Sequence, residues 1–118
     1  MKFVIYGRLD GLNEYTKSCR GNAYGANNMK KRNQESVIWA IREHKLPKID
    51  KYPIKLNIVW YEPNKRRDID NVTFAVKFIL DAMVEEKVII DDSQKYVSEI
   101  SHIVKVDKED PRIEVEII

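Results

Sequence analysis

One cysteine, Cys19, and two histidines, His44 and His102, are all that 118 residues offer to disulfide or zinc chemistry. A single thiol closes no internal disulfide, and one thiol with two distant imidazoles falls short of the four ligands of a structural zinc site. Glycine is also scarce: all four glycines fall between Gly7 and Asn28. None belongs to a phosphate-cradling loop, a dinucleotide fingerprint or a G-x-S-x-G elbow, so nothing supports a nucleotide cofactor. No run approaches the ~18 consecutive apolar residues of a membrane-spanning helix. The apolar stretch in MKFVIYGRLDG is too short for a signal peptide, which predicts a cytoplasmic protein without a membrane partner.

What is present fits one soluble globule. Charged residues make up 34% and apolar residues 43% of the chain, a balance that excludes a disordered tail. A mass of 13.9 kDa supports one modest core, so residues 1–118 are read as a single domain. The net charge of +2 hides an asymmetry: residues 1–60 carry 12 Lys and Arg against 5 Asp and Glu, whereas residues 61–118 carry 9 against 14. A basic half suits a polyanionic partner, and an acidic half suits solvated surface or a cation site.

The apolar run Lys2 to Tyr6 predicts a strand, and Gly7 to Asn28, without a lasting period, predicts a long loop. From about Asn28 to His44, Met29, Val37, Ala40 and Ile41 share one helical face. Ile54, Leu56, Ile58 and Trp60 then alternate with Lys55, Asn57, Val59 and Tyr61 as in a half-buried strand. Asp70 to Met83 predicts one helix capped by Asp70, with Val72, Ala75, Val76, Ile79, Leu80 and Met83 on its apolar face. After a short strand at Val88 to Ile90 and a turn at Asp91-Asp92-Ser93, Val97 to Val106 and Arg112 to Ile118 read as two further strands. The order β-α-β-α-β-β describes a two-layer α+β domain, two main helices over a mixed four-stranded sheet.

The segment Lys65 to Asn71, KRRDIDN, sets three cations beside two carboxylates two positions apart. In extended backbone that spacing turns Asp68 and Asp70 to one side, and Mg²⁺ takes one or two carboxylates and fills its octahedron with water and phosphate oxygens. The same residues also suit a plain reading, with Asp70 as a cap and Lys65, Arg66 and Arg67 as a solvated run. Asp91 and Asp92 form a second acidic pair or an ordinary turn. Lys77 and Asp81 make an i, i+4 pair on the helix face that also holds Asp70. Phe74 and Phe78 lie on the flank away from the core, where two adjacent aromatics predict a contact surface.

Together RRDIDN, a helix ending in ILDAM, IIDDSQKYV and the C-terminal RIEVEI resemble the RusA family of Holliday-junction resolvases, well over residues 53–118 and more loosely around Leu12-Asn13-Glu14-Tyr15. The resemblance implies a small homodimeric, Mg²⁺-dependent endodeoxyribonuclease that cuts four-way DNA junctions. It implies metal ligation by Asp68, Asp70 and Asp92. The family's helix lysine falls four residues after the second aspartate, where this chain has Phe74, and Lys77 is its nearest match. On this reading Lys65, Arg66 and Arg67 hold backbone phosphates, extended by Lys30, Lys31 and Arg32. The competing reading is a nucleic-acid-binding module without catalysis that uses only the Lys65–Arg67 run. A two-fold junction suits a two-fold dimer, and the Phe74–Phe78 flank is the expected interface.

Overall fold

The computed structural model describes residues 1–21 and 23–118. In chain order the elements are β1 (Lys2–Tyr6), α1 (Leu12–Gly21), α2 (Ala23–Glu43), β2 (Ile54–Glu62), α3 (Ile69–Thr73), α4 (Val76–Glu85), β3 (Val97–Val106) and β4 (Arg112–Ile117). Among the described residues the strands form one mixed sheet in the order β1-β4-β2-β3. β4 runs antiparallel to β1 and β2, and β2 and β3 run parallel, in register from Ile54↔Val97 to Glu62↔Val106 across one irregularity at Ile54/Lys55. The α+β order β-α-β-α-β-β holds, with each helical layer made of two pieces.

Alternation in the strands decides which face is covered. Phe3 and Ile5, then Leu56, Ile58 and Trp60, then Ile113, Val115 and Ile117 turn inward and are buried. α2 lays Val37, Ala40 and Ile41 over them, and α4 adds Phe78, Ile79, Ala82 and Met83. Lys55, Asn57, Tyr61, Glu114 and Glu116 turn to the open face. Arg112 ties the turn before β4, donating to Asp107 and Glu114 at 2.8 Å each and lying 3.8 Å over the Tyr61 ring.

The structure corrects four expectations. The segment Gly7 to Asn28 is largely helical, although Asn22 lies outside the described residues. Its helix begins where Glu14 reaches back to accept from the Gly11 amide at 3.2 Å, and Tyr15 packs on Phe74 with ring centroids 5.2 Å apart. Tertiary contact thus overrides a composition poor in helix formers. The helix expected over Asp70 to Met83 is two, α3 and α4. The Ala75, Lys77 and Phe78 amides bond three residues back, which tightens the chain between the two.

That tightening moves Phe78 into the core, where it is 0% exposed. Phe74 is covered by Tyr15, so the aromatic flank expected to pair two subunits faces this chain's own interior. Finally, Val88 to Ile90 forms no strand. The Val88 amide bonds back to the Met83 carbonyl at 2.9 Å and the Lys87 amide to Val84 at 3.0 Å, closing α4 in a Schellman turn with Lys87 at φ 60°.

Because Phe78 is a core residue, Phe78→Ala is expected to cost about 3–5 kcal/mol of folding stability. Urea unfolding measures it. A loss near zero would contradict this packing.

Candidate nuclease site

The loop after β2 is held by one buried carboxylate. Glu62, only 5% exposed at the C-terminal end of β2, accepts from Arg67 Nε at 2.8 Å, Arg67 Nη2 at 2.9 Å and Arg8 Nη2 at 2.9 Å. Arg67 Nη1 also donates to the Leu9 carbonyl at 3.2 Å. Burial by itself raises the Glu62 pKa, but the hydrogen bonds from Arg67 and Arg8 more than offset it and hold the carboxyl below its ordinary range. The loop Pro63–Arg67 is therefore clasped to both the sheet and the segment entering α1.

Asn71 makes the second fastening. Buried on α3, it accepts from the Asn13 amide at 2.9 Å, and Gly11 lies so close that a Cβ there would overlap the Asn71 carbonyl and side-chain oxygens. Beside Gly11, the Asp10 carboxylate accepts from Asn33 at 2.8 Å and Arg32 at 3.2 Å. α1, α2 and α3 meet at this corner.

On its outer side stand Asp68 and Asp70, both exposed. The expected cap at Asp70 is corrected: Asp68 is the N-cap residue, with φ −66° and ψ 156°, and its side chain makes no capping bond. The first turn closes through backbone alone, the Val72 amide donating to the Asp68 carbonyl at 3.1 Å. Among the described residues neither carboxylate has a hydrogen-bond or ion-pair partner. Next to them opens a cleft of about 450 Å³ lined by Asn64, Lys65, Arg67, Ile69, Val104, Lys105 and Val106. Asn64 shapes its rim by accepting from the Arg66 amide at 3.0 Å.

The basic residues divide. Lys65, Arg66 and Lys31 are exposed and unpaired among the described residues. Arg67 is only 12% exposed at its side chain and belongs to the clasp, which corrects its reading as part of a solvated phosphate-binding run. Arg32 is engaged by Asp10, and Lys30 lies 3.7 Å from Asp81. Asp81 therefore pairs across to α2, and Lys77 is exposed on α4 without an ion pair to it. The sequence reading missed Lys105 and Ile69 as cleft residues. Lys105 falls in a strand and Ile69 between two aspartates, and only the fold brings them together.

Asp92 is elsewhere. The Ile90 amide donates to Tyr52 Oη at 3.2 Å and the Ile54 amide to the Tyr96 carbonyl at 2.8 Å, so Asp92 belongs to the N-terminal end of β2 and β3. Asp68 and Asp70 follow the C-terminal end of β2, and Ile69 lies beside Val104 and Val106. The nine residues of β2 separate the two ends, a span of about 26 Å. Among the described residues no three His, Cys, Asp or Glu side chains stand together as a metal-holding group. Asp68 and Asp70 are both free, Asp68 in extended backbone and Asp70 in the first turn of α3, so the single extended stretch expected to turn them to one side is not formed, and one chain does not bring Asp92 to them. His102 is structural: Trp60 Nε1 donates to its Nδ1 at 3.0 Å, and burial lowers its pKa.

Residues 12–118 match the family model described as Endodeoxyribonuclease RusA, which leaves only β1 and the turn after it outside the match. No curated protein matches the chain. Among the described residues no helix is long and apolar enough to cross a membrane.

Removing the buried charge tests the clasp. Glu62→Gln is expected to cost about 3 kcal/mol, because it strips Arg67 and Arg8 of their partner. A carboxyl whose pKa is lowered by folding stabilises fully above its unfolded pKa, and this contribution fades as pH falls through the folded value. The gap between wild type and Glu62→Gln should therefore be widest near neutrality and narrow below about pH 4.5. Urea unfolding of both proteins across that range measures it, and a gap independent of pH would overturn the assignment.

Proposed function

Because the chain belongs to the RusA family of endodeoxyribonucleases, we propose that it resolves four-way DNA junctions by Mg²⁺-dependent phosphodiester hydrolysis, as a homodimer in the cytoplasm. The observation that carries this reading is the pair Asp68 and Asp70, exposed and unpaired beside a cleft walled by Lys65 and Lys105. Carboxylates that only capped a helix would be bonded to its amides, and these are not. Mg²⁺ held there supplies a Lewis acid for the scissile phosphate and a water acidified for attack.

The chain's own residues do the rest. Lys65 and Lys105 attract the DNA backbone to the cleft, and Arg66 and Lys31 extend that attraction without reading bases. Ile69 gives the cleft an apolar wall. The Glu62 clasp and the Asn71 latch fix the loop so that Asp68 and Asp70 keep their place while charge moves past them. Lys77, exposed on α4 seven positions after Asp70, stands to counter charge on the phosphate undergoing attack, in place of the lysine whose position Phe74 fills.

A synthetic four-way junction cut in the presence of Mg²⁺, and left intact without it, is the direct test. Asp68→Asn, Asp70→Asn and Asp92→Asn should each slow cutting at least about 100-fold while junction binding persists, since even outer-shell changes cost 10–100-fold at metal sites. Near wild-type cutting by all three would remove the carboxylates from the chemistry and leave a binding module.

The cations separate by the same logic. Lys65→Ala and Lys105→Ala should weaken binding to every junction sequence alike, each lowering the salt-dependence slope by about 0.9. Arg67→Ala should instead lower the unfolding midpoint, and titrations at several salt concentrations beside thermal melts tell the two effects apart.

A further inference from the structure

Between the end of α4 and the start of β3 the chain passes Asp91 and Asp92, both exposed and without a hydrogen-bond or ion-pair partner among the described residues. No side-chain bond steadies them, so their place is set by the backbone on either side. After them, the Tyr96 and Val97 amides both donate to the Ser93 carbonyl at 2.9 Å, a turn that leads directly into β3. Before them, the fastening is a side chain. The Ile90 amide donates to Tyr52 Oη at 3.2 Å, and Tyr52 Oη donates in turn to the Ile49 carbonyl at 3.0 Å.

That hydroxyl occupies a place that backbone would otherwise fill. The Ile49 amide donates to the Val88 carbonyl at 2.8 Å, and in a parallel ladder the Ile49 carbonyl would then accept directly from the Ile90 amide. The phenol stands between the two, accepting from one and donating to the other, so Val88 to Ile90 runs beside Ile49 without forming the strand expected there. The Tyr52 ring packs half-buried against the core and meets the Tyr96 ring edge-on, with centroids 5.1 Å apart and planes at 86°. One tyrosine thus reaches the chain on both sides of the acidic pair: its hydroxyl holds Ile90, and its ring leans on Tyr96. The Tyr96 carbonyl in turn accepts from the Ile54 amide at 2.8 Å, which ties this corner to β2. Packing needs only the ring. The hydroxyl serves the backbone two positions before Asp92.

We propose that Tyr52 is a positioning residue for Asp92: its hydroxyl fixes the backbone entering the Asp91–Asp92 turn, so that the Asp92 carboxylate is presented in one place before a metal ion arrives. The inference rests on the nuclease reading above, which gives Asp92 a ligand's role. An exposed carboxylate on a loose loop must be ordered when it binds, and that ordering lowers affinity. A loop already fastened at both ends avoids most of the cost. Groups that orient a ligand from outside the coordination sphere are typically worth about 10–100-fold in metal affinity.

Tyr52→Phe keeps the ring and removes only the hydroxyl, and two measurements on the full chain read its effect. Amide hydrogen exchange followed by NMR should speed up about tenfold or more at Ile90, with the amides of β2 and β4 unchanged. Mn²⁺ titrated calorimetrically should bind Tyr52→Phe about tenfold more weakly than wild type, with the number of sites per chain unchanged. A merely structural role gives the opposite pattern, fewer sites of wild-type affinity. That pattern, or wild-type affinity at a full complement of sites, would overturn the positioning role, as would unchanged exchange at Ile90. Junction cutting is scored separately. If Mn²⁺ binding weakens in both Asp92→Asn and Tyr52→Phe but the wild type never cuts a junction, the positioning role stands and the resolvase reading falls. If the wild type cuts junctions while Tyr52→Phe binds Mn²⁺ as tightly as it does, the reverse holds. A wild type that binds no Mn²⁺ would end both.

Discussion

Parallel pairing of β2 with β3 is the constraint on which the arrangement of this protein depends. A parallel pair cannot be joined by a tight turn, and the chain must return along the sheet before the second strand begins. Here α3 and α4 make that return, so Asp68 and Asp70 leave from one end of the pair and Asp92 arrives at the other. Closeness in sequence order, motif then helix then motif, therefore does not become closeness in space. The crossover that buries Phe78, Ile79, Ala82 and Met83 is also what holds the two acidic motifs apart within one chain.

The end of β2 that carries Asp68 and Asp70 is fixed by buried polar contacts. Glu62 sits where alternation would place an inward apolar residue, and it is tolerated there because Arg67 and Arg8 satisfy it. An apolar pair could pack as well, but it could not direct the loop toward Leu9 and α1. Asn71 does the same for α3 by taking the Asn13 amide. With these bonds assigned to the interior, Asp68 and Asp70 are left free on the outside. The motif KRRDIDN thus divides its labour: Arg67 and Asn71 hold structure, and Lys65, Asp68 and Asp70 face solvent.

Strands and motif were legible in the sequence because each rests on a short-range signal. Alternation in Ile54 to Trp60 and Ile113 to Ile117 needs no knowledge of the partner strand. The helix in the first third was not legible, since its composition argues for loop and its support comes from Phe74, which lies more than fifty positions away. Phe78 was misplaced for a related reason. A helical wheel assumes one unbroken helix, and the tightened turn at Phe74 and Ala75 rotates everything after it. The candidate carboxylates could be named from their types and spacing, but that Arg67 is buried and Lys105 lines the cleft depends on contacts the sequence does not print.

The charge asymmetry between the two halves acquires a spatial meaning once the helices are placed. Several cations of the basic half are engaged by carboxylates beside them, Lys30 by Asp81, Arg32 by Asp10 and Arg42 by Glu86, the last at 2.8 Å. Near the acidic motif, Lys65 and Arg66 on the loop and Lys105 on β3 carry no ion pair among the described residues. The cations at the cleft, Lys65 and Lys105, therefore come from the half of the chain whose net charge is negative. A polyanion drawn to this protein meets positive charge beside Asp68 and Asp70 themselves, which offsets the repulsion two free carboxylates would otherwise exert on a phosphate.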